Sequence, residues 1–561
     1  MTDRAGAHAG SRRGASATAH AHRGSAQHWP DRGLALVVTV TLVALVGLVA
    51  VASFALGTDA PAPAGPPRYL SVVSPASATW GPTRDEIALA AAYVDDMTLG
   101  QQAGQVIVAS YRGTGAPVDL VRRLHLGGVI ALGSNVRSPD QISAVNARLA
   151  KVYAGRGYPG FLAVDQEGGT VERVKGSATR FPTFMATGAA DRPELTRRVA
   201  AASGGETVGL GFTVVLGPVA DVTIGDRDPV IGTRSAGGSP TLVSRQVRAW
   251  VGGLEDAGLV PVVKHFPGHG SVTTDSHVGL PVQRKSEKQL LTSDLVPFVD
   301  VIRDGAPAVM TGHVDVRRID PHVPSSLSAK VTTGLLRERL GFSGLVVTDA
   351  LSMTAVSQRY PGPKAAVRAL QAGADVLLKP KDPATARAGI VRAVRNHTLS
   401  RDRLTQAATR MIATLIHSRA STQRPLRPGA GAATSLELSR AAVTSVAGPC
   451  SGRLVARRVR VYGPGSLTAM VRHYGRAAGL TFGAGRKVVL VPHGGGAPVQ
   501  ADVVVALDRP SVLGRTKARV RLATYGETPG SMRALVDVLV GRAPAPGRLP
   551  LAVPGAPRRG C

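Results

Sequence analysis

The chain has 561 residues, of which 44% are hydrophobic and 4% aromatic, a composition that fits a globular protein large enough for more than one core. Its formal net charge of +30 favours anionic surroundings. No nucleic-acid-binding motif or run of stacking aromatics accompanies that charge, so it reads as diffuse arginine-rich surface, with no nucleic acid expected as a partner.

The first element in chain order is apolar. Residues 33–57 contain no charged side chain and are long enough to span a bilayer, and Arg4, Arg12, Arg13, Arg23 and Arg32 precede them. The expectation is a basic cytoplasmic segment (1–32), a membrane anchor or cleaved signal (33–57) and a Pro/Ala-rich stalk (58–84). Everything beyond would be exported, either held to the cell membrane or secreted.

From Asp85 the texture becomes alternating helix and strand. Eight short apolar runs read as buried strands: residues 104–109, 127–132, 160–165, 212–217, 260–265, 307–313, 344–349 and 374–379. Eight such units predict an α/β fold with a (β/α)8 barrel over 85–420. A doubly wound sheet would not need eight, and no glycine-rich phosphate turn follows the first strand. A linker (421–434) precedes a smaller α/β sandwich-type domain (435–561), with strands expected at 459–463, 488–492, 502–507 and 520–526. Its Cys450 and, at the other end, Cys561 are the chain's two cysteines; they form no zinc pattern, and whether they pair is left open.

Polar residues gather at the ends of the predicted barrel strands. Asp165, Lys264, His265, His313 and Asp349 all lie at carboxyl ends, where a barrel builds its active site. One such residue would merely mark a strand end; repetition over four strands points to a site. The stretch VVKHFPGHGSVTTDSH (262–277) carries the densest set. His265, His269, Asp275 and His277 have the right chemistry for a metal, but Phe266-Pro267-Gly268 prevents the helix that a paired-histidine zinc site uses, so no metal or other cofactor is expected. A proton-transfer role fits better. Asp275, two residues before His277, can hydrogen-bond its imidazole and fix the tautomer. Asp349, in LVVTDALSM (345–353), suits a nucleophile attacking a sugar carbon, or else an aspartate capping the next helix.

These residues carry a resemblance. Lys264–Gly270, Asp275-Ser276-His277 and Thr348-Asp349-Ala350-Leu351 are similar to motifs of the bacterial β-N-acetylglucosaminidases of glycoside hydrolase family 3. Asp165-Gln166-Glu167-Gly168-Gly169, Gly217–Val222 and Pro229–Ser235 resemble further loops of that family, and Thr524-Tyr525-Gly526 and Pro546–Leu551 the carboxyl-terminal domain of its longer members. Thr170 and Lys379 depart from the pattern.

The resemblance implies that Asp349 is the nucleophile, His277 the general acid and then base, and Asp275 its orienting partner. It further implies that Asp165, Arg234, Lys264 and His265 bind sugar hydroxyls and that His313 and Met353 line the pocket. The implied activity is retaining release of terminal β-linked N-acetylglucosamine, from peptidoglycan or its fragments. A β-glucosidase or phosphorylase of the same family, or an inactive glycan-binding scaffold, stay open as alternatives.

Overall fold

A computed structural model describes residues 81–496 and 500–561. The basic segment 1–32, the apolar run 33–57 and stalk residues 58–80 lie outside the described residues. Among the described residues no helix is long and apolar enough to cross a membrane. The helix Arg84–Asp95 starts inside the stretch read as stalk, capped by Thr83 in a reciprocal box with Glu86.

Eight parallel strands follow: β1 Ile107–Ser110, β2 Gly128–Ala131, β3 Phe161–Val164, β4 Val214–Val215, β5 Val260–Phe266, β6 Ala308–Thr311, β7 Leu345–Thr348 and β8 Leu377–Leu378. Each pairs with its sequence neighbour, and β8 returns to β1. A parallel bridge from Val347 to Val376 joins β7 to the approach of β8 and completes the ring. The predicted barrel is therefore the observed one. The first strand starts three residues later than its apolar run suggested. Thr98 and Gln101 cap a helix through Gln105, and Gly104 belongs to it, packed so tightly that a Cβ there would sit 2.0 Å from the Leu124 carbonyl oxygen.

The barrel interior obeys the strand period of two. Val108, Ile130, Phe161, Ala163, Val214, Leu216, Val260, Val262, Ala308, Met310, Leu345, Val347, Val376 and Leu378 form one apolar cluster. Met411 and Leu415, from the helix Arg401–Ala420, join it and plug the amino-terminal end. An apolar cavity of ≈ 660 Å³ at that end, lined by Tyr153, Tyr158, Phe212 and Leu415 among others, contains none of the predicted site residues.

The second sheet comprises β9 Thr444–Ala447, β10 Arg458–Tyr462, β11 Thr481–Phe482, β12 Arg486–Val491, β13 Val503–Ala506 and β14 Val520–Ala523. Their order is β9-β14-β13-β12-β10-β11, parallel except for the β9–β14 pair. The four expected strands are present; β9 and β11 complete the sheet. The helix Ala432–Ala442 starts within the stretch read as a linker. Cys450 and Cys561 form a disulfide with Cα atoms 5.7 Å apart, tying the chain terminus to the loop after β9.

Candidate active site

The period that fills the barrel also builds its mouth. Ala163, Val262 and Val347 face inward, and two residues further along each strand stand Asp165, Lys264 and Asp349. The apolar layers form the floor, and the next inward position above them carries a charge. Burying those charges requires partners. Lys264, 2% exposed, places Nζ 2.8 Å from Asp165 Oδ1 and 2.6 Å from Glu167 Oε1. Arg234 reaches Glu167 bidentately at 2.8 and 2.9 Å. Two cations and two carboxylates thus share one cluster, with Arg173 3.7 Å from Asp165 at its edge. Burial acts to raise the Glu167 pKa, but the Arg234 and Lys264 charges outweigh it and hold the carboxyl below its usual range. The same carboxylates keep Lys264 protonated against its own desolvation.

Asp349 lies half-buried just past β7 and accepts the Ala350 N–H at 2.7 Å. Burial opposes its ionisation; the neighbouring His313 and His265 rings, the Ala350 N–H and Lys264 overcome that and bring its pKa to about 2. His265 donates through Nδ1 to the fully buried Asp221 at 2.7 Å, which leaves Nε2 as its remaining polar atom. Asp221 also accepts the His269 N–H at 2.6 Å, and its pKa is lowered despite burial.

The loop that carries Asp275 and His277 follows. Asp275 Oδ1 accepts from both the backbone N–H and Nδ1 of His277, each at 2.8 Å. His277 is 65% exposed and Asp275 36% exposed by side chain, so the pair sits at the open rim. The Asp275 pKa is lowered, against burial, chiefly by the His277 hydrogen bonds. Within the loop that follows β5, His269 Nε2 lies 3.0 Å from Ser276 Oγ. His277 is near enough to His313 to act on it electrostatically.

Two expected pocket residues are placed differently. His313 is 0% exposed, with Nε2–H donating to the Ala350 carbonyl at 3.0 Å and Nδ1 accepting from Ser326 Oγ at 2.7 Å. With no accessible atom it cannot bind a sugar hydroxyl; it braces the turn that carries Asp349. Met353 is buried and caps the short helix Thr354–Ser357, its N–H bonded to the Ala350 carbonyl. Conversely, Glu167 and Asp221 emerge as site residues. Both lie in loops that the sequence motifs already outlined, but neither was singled out. Among the described residues no group of three or more His, Cys, Asp or Glu side chains is arranged to hold a metal ion.

An ionised carboxylate beside a charge-balanced cluster of two cations and two carboxylates, with an exposed His–Asp pair at the rim, is an arrangement for acid–base-assisted displacement at a neutral polar substrate. Comparison with known proteins gives the class. Residues 98–414 match the model of the glycosyl hydrolase family 3 N terminal domain, and the chain belongs to this family. A beta-hexosaminidase of Alkalilimnicola ehrlichii is 38% identical over 259 residues, spanning 45% of this chain and 73% of that protein. Beta-hexosaminidase A of Pseudoalteromonas piscicida is 35% identical over 280 residues, and the match spans about half of its length, 47%. Among solved structures, a glycoside hydrolase family 3 beta-N-acetylglucosaminidase from Paenibacillus sp. superposes with a TM-score of 0.74 at 28% identity, covering 82% of this chain and 99% of that one.

Proposed function

We propose that this protein is a retaining exo-β-N-acetylglucosaminidase. The observation that carries the reading is the division of labour between Asp349, held ionised at the barrel mouth, and the hydrogen-bonded Asp275–His277 pair on the rim. Asp349 attacks the anomeric carbon while His277 gives a proton to the departing glycosidic oxygen, leaving a glycosyl ester on Asp349. His277 then takes a proton from water, water attacks the same carbon, and the carboxylate is released. Asp275 holds the imidazole by Nδ1, so Nε2 performs both transfers. Asp165, Arg234, Lys264 and His265 Nε2 are the groups that bind sugar hydroxyls.

The relatives named beta-hexosaminidase support N-acetylglucosamine as the sugar released. A peptidoglycan strand or fragment is the natural source this reading favours. The apolar run at 33–57 and the Cys450–Cys561 disulfide support an exported enzyme tethered at the cell membrane, since disulfides persist in oxidising compartments.

The test compares initial rates on aryl β-N-acetylglucosaminide and aryl β-glucoside with Asp349→Ala and His277→Ala controls. The N-acetylated sugar is preferred and Asp349→Ala is inactive. In His277→Ala an activated aryl group still leaves unaided while the second step slows about 10²- to 10⁴-fold, so the glycosyl-enzyme accumulates and azide restores turnover. Equal rates on the two sugars would overturn the specificity. Full turnover by His277→Ala without azide would overturn the assignment of the acid and base.

A further inference from the structure

Arg234 sits at the end of a short turn, Gly232–Arg234, in the loop 229–235. Asp228 organises that loop from within by accepting the N–H groups of Val230, Ile231 and Gly232. The outer side of the loop is held by the second domain. Thr233 Oγ1 donates to Asp508 Oδ1 at 2.5 Å, and Arg509 Nη1 donates to the Asp228 carbonyl at 3.0 Å. The Arg509 guanidinium also covers Gly232, where a Cβ would lie 2.7 Å from Nη2 and where φ is +47°.

Asp508 is 3% exposed and stands two residues beyond β13. Its second oxygen, Oδ2, lies 2.6 Å from His493 Nδ1, two residues beyond β12, and the His493 N–H donates to Glu527 at 2.6 Å. Three side chains from the carboxyl ends of adjacent parallel strands therefore converge where the second sheet meets the loop that bears Arg234. That end of an open α/β sheet is where such sheets place functional groups.

We propose that Asp508 is a positioning residue for substrate binding, acting through Thr233 to fix the turn from which Arg234 reaches the site. His493 holds the other carboxylate oxygen, so that a single orientation of Asp508 faces Thr233. The second domain thus contributes to ground-state sugar binding without touching the sugar. This rests on the reading above that Arg234 binds a sugar hydroxyl.

The experiment uses the full chain and steady-state rates on aryl β-N-acetylglucosaminide. Thr233→Val keeps side-chain shape and removes the donor of the bond, Asp508→Ala removes its acceptor, Thr233→Ser restores the hydroxyl, and Arg234→Ala anchors the scale. Arg515→Ala is the interface control, because Arg515 bonds Asp226 at 2.9 Å elsewhere on the same contact. Thr233→Val and Asp508→Ala raise KM about five- to tenfold with kcat little changed, as expected for one lost hydrogen bond acting on binding alone. Thr233→Ser and Arg515→Ala stay near the parent. If Arg234→Ala raises KM and Thr233→Val does not, the positioning role is refuted while the proposed binding set stands. If Arg234→Ala leaves KM unchanged, the binding set itself is wrong. A fall in kcat alone in Thr233→Val also refutes the role. Should Asp508→Ala not fold, Thr233→Val decides, since it leaves the Asp508–His493 pair in place.

Discussion

Replacing Glu167 by Gln tests whether Lys264, Arg234, Asp165 and Glu167 form an obligate charge-balanced cluster. In the parent, Asp165 and Glu167 offset Lys264 and Arg234, and Glu167 alone makes three of the contacts: two from Arg234 and one from Lys264. Glutamine keeps the shape but leaves one buried positive charge uncompensated. Removing one partner of a buried ion pair costs about 3–5 kcal/mol, because the orphaned charge keeps its desolvation penalty. Glu167 and Lys264 side chains are 4% and 3% exposed, so solvent screens little of this. The depressed Glu167 pKa gives the sign with pH: its contribution is present above the ordinary carboxylate range and is lost as pH falls through the lower folded value. Urea unfolding at pH 7 measures the loss. The double variant Glu167→Gln/Lys264→Met removes the orphaned charge as well and recovers part of that stability, while activity stays low if Lys264 binds the sugar as proposed. A Glu167→Gln loss below about 1 kcal/mol, or a double variant less stable than the single, would refute the charge-balance account.

Asp349 has a pKa lowered to about 2, so it stays ionised as pH falls from 7 to 4. Esterification of Asp349 by a fluorosugar with an activated leaving group, followed by intact mass, proceeds at a flat rate over that range; a midpoint above about pH 4 would contradict it. Asp375, 0% exposed, accepts from Arg337 at 2.6 Å, Arg403 at 2.8 Å and Arg410 at 2.7 Å near the amino-terminal end of β8. Asp375→Asn strands those guanidinium groups and lowers unfolding free energy by about 3–5 kcal/mol in denaturant titration, the range for breaking a buried pair. Loss of the Cys450–Cys561 bond in a Cys450→Ser/Cys561→Ser variant frees a segment closed across 111 residues and costs about 2–4 kcal/mol by the same assay. Aryl-glycoside rates measured at 25 °C stay near the parent, because the bond lies outside the site.

What the sequence reveals of this site follows from which constraints are local. Strand period is local: once Val260 and Val262 are placed in the interior, Lys264 must point into the mouth, and the same step takes Ala163 to Asp165 and Val347 to Asp349. The Asp275–His277 bond is local too, since two residues on one loop close it. The neutralising partners are not. Glu167 meets Arg234 across 67 positions and Asp221 meets His265 across 44, so their necessity is visible only as an electrostatic demand. Three charges placed above an apolar floor require partners somewhere. His313 illustrates the converse. A histidine just past a strand end has the chemistry of a pocket residue, yet the Ser326 hydroxyl and Ala350 carbonyl, each from another segment, consume both of its nitrogens. The missed edge strand β9 has the same character. It joins the sheet only by pairing antiparallel with β14, from Thr444 to Ala523, a contact no window of the sequence contains. Side chains set by one strand or loop define the reacting groups here, and side chains set by tertiary contact define their charge state and orientation. The proposed activity therefore rests on residues such as Glu167 and Asp221 that carry no reactive signature of their own.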